Sequence, residues 1–119
     1  MKYVEGFVIP IRKKKLAAYR LMARKAGKIW REFGALDYKE CAGDDLNTKW
    51  GVRFPRAAKA KPGETVVFSF IVYRSRADRD RINVKVMKDP RLAKMMDPKS
   101  MPFDLKRMVY GGFKVLVDA

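Results

Sequence analysis

Residues 64–73 read ETVVFSFIVY and form the strand on which the rest of the fold is built. β-Branched and aromatic residues dominate this stretch, and successive side chains of a strand point to opposite faces of its sheet. Phe68 and Phe70 therefore share one face, while Val67 and Ile71 share the other. Because both faces of the strand are apolar, both sides of its sheet need a cover.

The spacing of hydrophobic residues before and after this strand predicts that the elements of the chain follow the order strand, helix, strand, strand, helix, strand. This is the split βαβ order of ferredoxin-like α+β folds, a four-stranded antiparallel sheet with its helices on one face. Right-handed crossovers place the first and third strands at the centre, and we expect one domain over residues 1–119. The predicted strands are residues 2–11, 36–42, 64–73 and 106–117, and the predicted helices are residues 16–33, 76–88 and about 90–97.

Local signals mark several ends and turns. Ser75 is a predicted N-cap, and Asp89 followed by Pro90 predicts the start of the short helix. Pro62-Gly63 is typical of a type II turn. Residues 43–63 form a long connection, whose Trp50, Arg53 and Phe54 suggest either a lid or, as we prefer, an arm that clasps a partner subunit.

The composition excludes several classes of site. The 119 residues contain no histidine, so Ser-His-Asp catalysis, histidine-ligated haem and imidazole zinc sites are excluded. Cys41 is the single cysteine and cannot form an internal disulfide. We therefore expect no metal and no cofactor.

The same composition bears on location and partners. The formal net charge is +15, which raises the question of nucleic acid as a partner. A secretory signal and an apolar run of about 18 residues are both missing, so we expect a cytoplasmic protein that does not enter membranes. Since the helices cover one face of the sheet, we also expect a homodimer in which a second copy covers the other face.

Six blocks of sequence together carry a resemblance to a known family. They are residues 24–30, 34–38, 85–92, 95–98, 101–104 (MPFD) and 106–113 (KRMVYGGF). These blocks resemble the YbaA-like family of small bacterial proteins of unknown function. The resemblance covers the chain from end to end and implies a dimeric α+β barrel. Fold relatives implied by it include cofactor-free monooxygenases and haem-dependent enzymes, but no residue set here matches a monooxygenase site, so no catalytic residue is carried over.

Candidate ligand-binding residues follow from the expected pocket between sheet and helices. Glu5 is the most informative member: a carboxylate in a central strand needs a partner if buried, and Lys114 or Arg107 would serve. Glu5 held in this way is a candidate general base, whereas a solvent-facing Glu5 is the alternative. The aromatic residues expected at this pocket are Trp30, Phe33, Tyr38, Phe68, Phe70 and Tyr110.

Three further positions complete the candidate site. Asp104 either holds Arg107 in an ion pair or leaves that guanidinium free for an anionic ligand. Arg53 is a candidate ligand-binding residue because it lies on the long connection. Gly111-Gly112 indicates a β-bulge or a close approach by another backbone or a ligand.

Two functions remain open. The first is a dimer that either binds a small hydrophobic or aromatic ligand or also transforms it without a cofactor, so the sequence does not decide whether the protein is an enzyme. The alternative is an RNA-binding dimer, with affinity that falls as salt rises. Its contact surface would be the basic helix face, made of Arg20, Arg24, Lys28 and Arg31.

Overall fold

A computed structural model describes all of residues 1–119, and its centre is a four-stranded antiparallel sheet. The strand order is β2-β3-β1-β4, so the first and third strands lie at the centre, as predicted. β3 has the predicted bounds, because its apolar run ends at sharp turn and cap signals. The strands are β1 (Tyr3–Arg12), β2 (Asp37–Ala42), β3 (Glu64–Tyr73) and β4 (Val109–Lys114).

The helices begin and end at the predicted kinds of residue. Gly34, at φ 114°, follows the end of the first long helix. The Ser75 hydroxyl accepts a hydrogen bond from the Asp78 amide at 3.1 Å, and the Asp89 carboxylate accepts from the Arg91 amide at 2.8 Å. The helices are α1 (Leu16–Glu32), α2 (Phe54–Ala57), α3 (Arg76–Met87) and α4 (Pro90–Met95). None of them is long and apolar enough to cross a membrane.

The core lies between the sheet and α1, α3 and α4. Tyr3 of β1 and Ile71 and Tyr73 of β3 point toward these helices, where they pack with Ile29 of α1 and Ile82 of α3. This is the face that the alternation in β3 predicts for Ile71. A ferredoxin-like α+β fold is therefore the architecture of the chain.

The other face of the sheet, which we call the open face, carries exposed apolar side chains. Phe68 is 43% exposed, Val109 56% and Phe113 62%. The long connection covers one end of this face: the Phe54 ring lies 6.2 Å from the Phe68 ring, and Ala58 is buried. The remaining apolar surface of the open face has no cover within the chain.

β4 is shorter than predicted and contains no bulge. Its register with β1 is continuous, with Gly112 opposite Glu5, so the predicted bulge at Gly111-Gly112 is wrong. The close approach is made by a side chain instead, since a Cβ on Gly112 would lie 2.3 Å from the Tyr3 hydroxyl oxygen. Before the strand, Leu105–Arg107 form a 3-10 turn.

β1 extends beyond the end of β4. β3 pairs with the whole of β1, whereas the pairing with β4 ends at Val8 opposite Val109. Pro10, opposite Val66 of β3, lies past this point and is fully buried.

Candidate functional site: a cavity between sheet and helices

A cavity of about 360 Å³ lies between the helix-facing side of the sheet and helices α1, α3 and α4. We call it the helix-side cavity. Seventeen of its 22 lining residues are hydrophobic, and five of the seven methionines of the chain are among them. Flexible thioether side chains let such a wall adapt to ligands of different shape. The methionines are Met22, Met87, Met95, Met96 and Met108.

Glu5 forms a buried polar cluster at one wall of this cavity. Its side chain accepts hydrogen bonds from Tyr73 Oη at 2.7 Å, Asn83 Nδ2 at 3.0 Å and Arg79 Nη1 at 3.0 Å. The predicted partners, Lys114 or Arg107, are therefore wrong. Glu5 points toward α3, which supplies Arg79 and Asn83, while its neighbour on β4 is a glycine.

Further contacts surround this cluster, and the Arg79 guanidinium balances the charge of Glu5. The Arg79 guanidinium lies 4.9 Å above the centre of the Tyr3 ring, and Trp30 Nε1 donates to Asn83 Oδ1 at 3.0 Å. Burial, together with the hydrogen bond to Glu5, raises the pKa of Tyr73. The Tyr73 hydroxyl therefore remains protonated and keeps donating to Glu5.

A second carboxylate, Glu40, is held by two tyrosines at another part of the cavity wall. Tyr19 Oη donates to Glu40 Oε1 and Tyr38 Oη to Oε2, each at 2.7 Å. Burial, followed by the charge of Glu40, raises the pKa of both tyrosines. Gly27 of α1 makes room for this arrangement, since a Cβ there would lie 2.8 Å from the Tyr38 ring.

Four of the predicted site residues line the helix-side cavity: Glu5, Trp30, Tyr38 and Tyr110. Trp30 and Tyr38 lie 6.0 Å apart between ring centres. Tyr110 stacks on Phe7, also at 6.0 Å, and is 65% exposed. The structure thus brings these four residues to one cavity.

Phe68 and Arg53 are placed elsewhere. Phe68 lies on the open face, because it alternates with the helix-facing residues of β3. Arg53 precedes α2 and donates to the Thr48 carbonyl oxygen at 2.9 Å. The long connection lies on the open face, so it is not a lid over the helix-side cavity, and its role as an arm toward a partner stays a prediction.

Arg107 and Asp104 do not pair with each other, so that prediction is wrong. Arg107 forms a two-point ion pair with Glu64 at 2.7 and 2.8 Å and donates to the Lys59 carbonyl oxygen. Asp104 instead accepts from the Lys106 amide at 3.0 Å, since it caps the 3-10 turn. Arg107, followed by the Lys61 amide, lowers the pKa of Glu64 to about 2.

Comparison with known proteins places the chain in a family. Residues 2–105 match the family described as "Protein of unknown function (DUF1428)". The uncharacterized protein YbaA of Escherichia coli strain K12 is 48% identical over 118 residues, which cover 99% of each chain. The chain belongs to the DUF1428 family. The resemblance to YbaA-like proteins seen in the sequence is thereby confirmed.

Solved structures share the fold of this DUF1428 chain at low sequence identity. Rv0793 from Mycobacterium tuberculosis has a TM-score of 0.60 and 15% identity, covering 100% of this chain and 99% of its own. A protein described as dimeric and ferredoxin-like, from an uncultured marine organism, has a TM-score of 0.62 and 12% identity, covering 99% and 98%. SnoaB from Streptomyces nogalater, described as a cofactor-independent oxygenase, has a TM-score of 0.58 and 11% identity, covering 98% and 95%.

Sequence reasoning missed Glu40, Tyr19, Arg79 and Asn83 of this DUF1428 chain. Glu40 lies two residues after Tyr38 in a strand and therefore shares its face, which is a signal that the sequence contains. On α3, the two polar residues share a helical face with buried Ile82, so their spacing also indicates burial.

The basic face of α1 borders a separate, open groove between α1 and β2, which we call the outer groove. Arg20, Arg24 and Lys28 line it and form no ion pair. Arg31 differs, because it donates to the carbonyl oxygens of Ala35 and Leu36 after the helix end. Cys41 is free and exposed, and no group of three or more Asp, Glu or Cys side chains is arranged to hold a metal ion.

Proposed function

We propose that this protein is a homodimer that binds a small hydrophobic or aromatic compound in the helix-side cavity. The observation that carries the proposal is the cavity itself, which is largely apolar and has a few fixed polar groups at its wall. Small-molecule sites have this composition, in which apolar side chains supply affinity and polar groups supply orientation.

The homodimer is supported by the open face. Phe68, Val109 and Phe113 expose apolar surface there, and sheet-on-sheet packing of a second copy buries such a surface. A solved protein of the same fold is described as dimeric. The second copy would leave the helix-side cavity accessible, because the cavity is on the other side of the sheet.

Chemistry without a cofactor is compatible with this site. A relative in fold is described as a cofactor-independent oxygenase. In this chain, Glu5 and Glu40 are the candidate proton acceptors at the cavity wall, and the tyrosine hydroxyls are the candidate donors. Turnover is a separate question from binding.

Native mass spectrometry of the untagged protein, purified from its own cells in low salt, tests the proposal. We expect a dimer mass with a discrete small added mass. Trp30→Ala, at the cavity, should lose the added mass while remaining folded by circular dichroism. Trp50→Ala is the matched control, since Trp50 is 88% exposed and outside the cavity. Retention of the added mass by Trp30→Ala would contradict the proposal.

The alternative function is RNA binding by the basic face of α1. Its supporting observation is that Arg20, Arg24 and Lys28 have no acidic partner. It predicts that nucleic acid copurifies with the protein, that affinity falls steeply with salt, and that exchanging the three residues for Glu abolishes binding. A flat salt response would exclude it.

A further inference from the structure

Glu40 has hydrogen-bonding capacity that the chain does not use. A carboxylate offers about four lone-pair positions, two on each oxygen. The hydroxyls of Tyr19 and Tyr38 occupy one position on each oxygen. One acceptor position on each oxygen is therefore available to a ligand.

The charge of Glu40 also lacks a partner within the protein. No lysine or arginine nitrogen lies within 4.0 Å of its carboxylate. Its neighbour Lys39 pairs with Asp37, on the opposite face of β2. Glu40 also lines the outer groove, where Arg20 and Arg24 lie, but neither arginine pairs with it.

Glu5 provides the contrast within the same cavity. Its carboxylate accepts three hydrogen bonds, and one of the three donors is the Arg79 guanidinium. The Arg79 guanidinium thus balances the charge of Glu5, whereas Glu40 accepts hydrogen bonds only from two neutral hydroxyls. Since a carboxylate at an apolar wall is stabilised by a cation, Glu40 is where a positively charged group would be held.

We propose that the ligand of the helix-side cavity is a hydrophobic amine whose protonated nitrogen binds Glu40, while its apolar body lies among the aromatic and methionine side chains. This inference rests on the proposed function, because it names the chemical class of the ligand for the same cavity. The Tyr38 ring, whose hydroxyl donates to Glu40, lies 6.0 Å from the Trp30 ring, and the faces of aromatic rings attract cations, which adds to the preference. A carboxylate ligand would be repelled by Glu40.

Three probes of similar size test the preference: 2-phenylethylamine, 2-phenylethanol and 3-phenylpropanoate, which are cationic, neutral and anionic at pH 7. The Trp50→Phe variant provides the readout, because it leaves Trp30 at the cavity as the one tryptophan whose fluorescence a ligand changes. We expect the amine to bind at least about tenfold more tightly than either other probe, as for a hydrogen bond to a charged group.

The Glu40→Gln substitution, made in the same Trp50→Phe background, tests whether Glu40 causes the preference for the amine. We expect the amine to bind no more tightly than the alcohol to this variant. Glu32→Gln is the matched control: it makes the same change of charge at a side chain that is 55% exposed and paired with Arg91, so the amine preference should persist.

The outcomes separate the two proposals. Equal binding of amine and alcohol, or tighter binding of the propanoate, overturns the amine assignment but leaves the cavity as a ligand site. A preference for the amine that survives Glu40→Gln overturns the role of Glu40. Failure of all three probes to bind overturns the proposed function as well. Because the comparison of probes needs no change at Glu40, it remains decisive if Glu40→Gln does not fold.

Discussion

At Gly112 a single hydrogen atom in place of a side chain allows the buried Tyr3 ring to lie against β4. A Cβ at this position would come within 2.3 Å of the Tyr3 hydroxyl oxygen and 2.7 Å of its ring. We expect Gly112→Ala to lower the free energy of unfolding by about 1–3 kcal/mol, as overpacking does. Urea unfolding measures it. At Gly111 the nearest atom to a new Cβ is 4.0 Å away, so Gly111→Ala is the control and should cost markedly less.

Glu5 and Arg79 form a buried ion pair whose loss is expected to be costly. Their side chains are 7% and 17% exposed. Glu5→Ala leaves Arg79 with only its exposed partner Asp80 and removes the acceptor of Tyr73 and Asn83, so we expect a loss of about 3–5 kcal/mol in the free energy of unfolding. Glu32→Ala, which breaks the exposed pair with Arg91, should cost much less, because solvent screens an exposed ion pair. Equal losses in the two variants would show that the buried pair carries no special weight.

At the scale of secondary-structure elements, the ion pair between Glu64 and Arg107 connects the start of β3 to the 3-10 turn before β4. The pKa of Glu64 is lowered from 4.5 to about 2, so the pair stabilises the folded state fully above about pH 4.5. This contribution is lost as the pH falls from about 4.5 toward 2, because protonation removes the charge that Arg107 binds. We expect Glu64→Gln to be less stable than the wild type at pH 6 and nearly equal to it near pH 2. Urea unfolding across this range measures the difference, and a difference that does not change with pH would contradict the assignment.

The elements also show what could be predicted from the sequence and what could not. α1 and β3 could be predicted because the hydrophobic pattern of each repeats over many residues. Gly34 follows the end of α1 and Ser75 follows the end of β3. The extent of β4 could not, because it depends on how much of β1 remains available to pair with it. Trp30 and Tyr38 could be assigned to a pocket from the chemistry of their side chains. The partner of Glu5 required knowing that α3 crosses above β1, which no local pattern contains.

On the scale of the whole molecule, the open face governs association. Phe113 is 62% exposed there, and a charge at this position would have to be buried in a sheet-on-sheet dimer. We expect Phe113→Glu to be monomeric by light scattering at concentrations where the wild type is dimeric. Val84→Glu is the control, since Val84 is 55% exposed on α3, away from the open face, and the variant should remain dimeric. A wild-type monomer, or a Phe113→Glu dimer, would refute the proposed assembly.

Pro10 limits the association of copies of the chain through their strand edges. The Lys13 amide donates toward the β3 side of β1, to the Gly63 carbonyl oxygen, and donors along a strand alternate between its two sides. The backbone nitrogen of Pro10, three residues earlier, therefore faces the side on which β4 has already ended. Being a proline, it offers no hydrogen there. The part of β1 beyond the end of β4 is thus a poor template for an incoming strand, because Pro10 is buried and offers no donor there, and this protects a very basic protein from edge-to-edge aggregation.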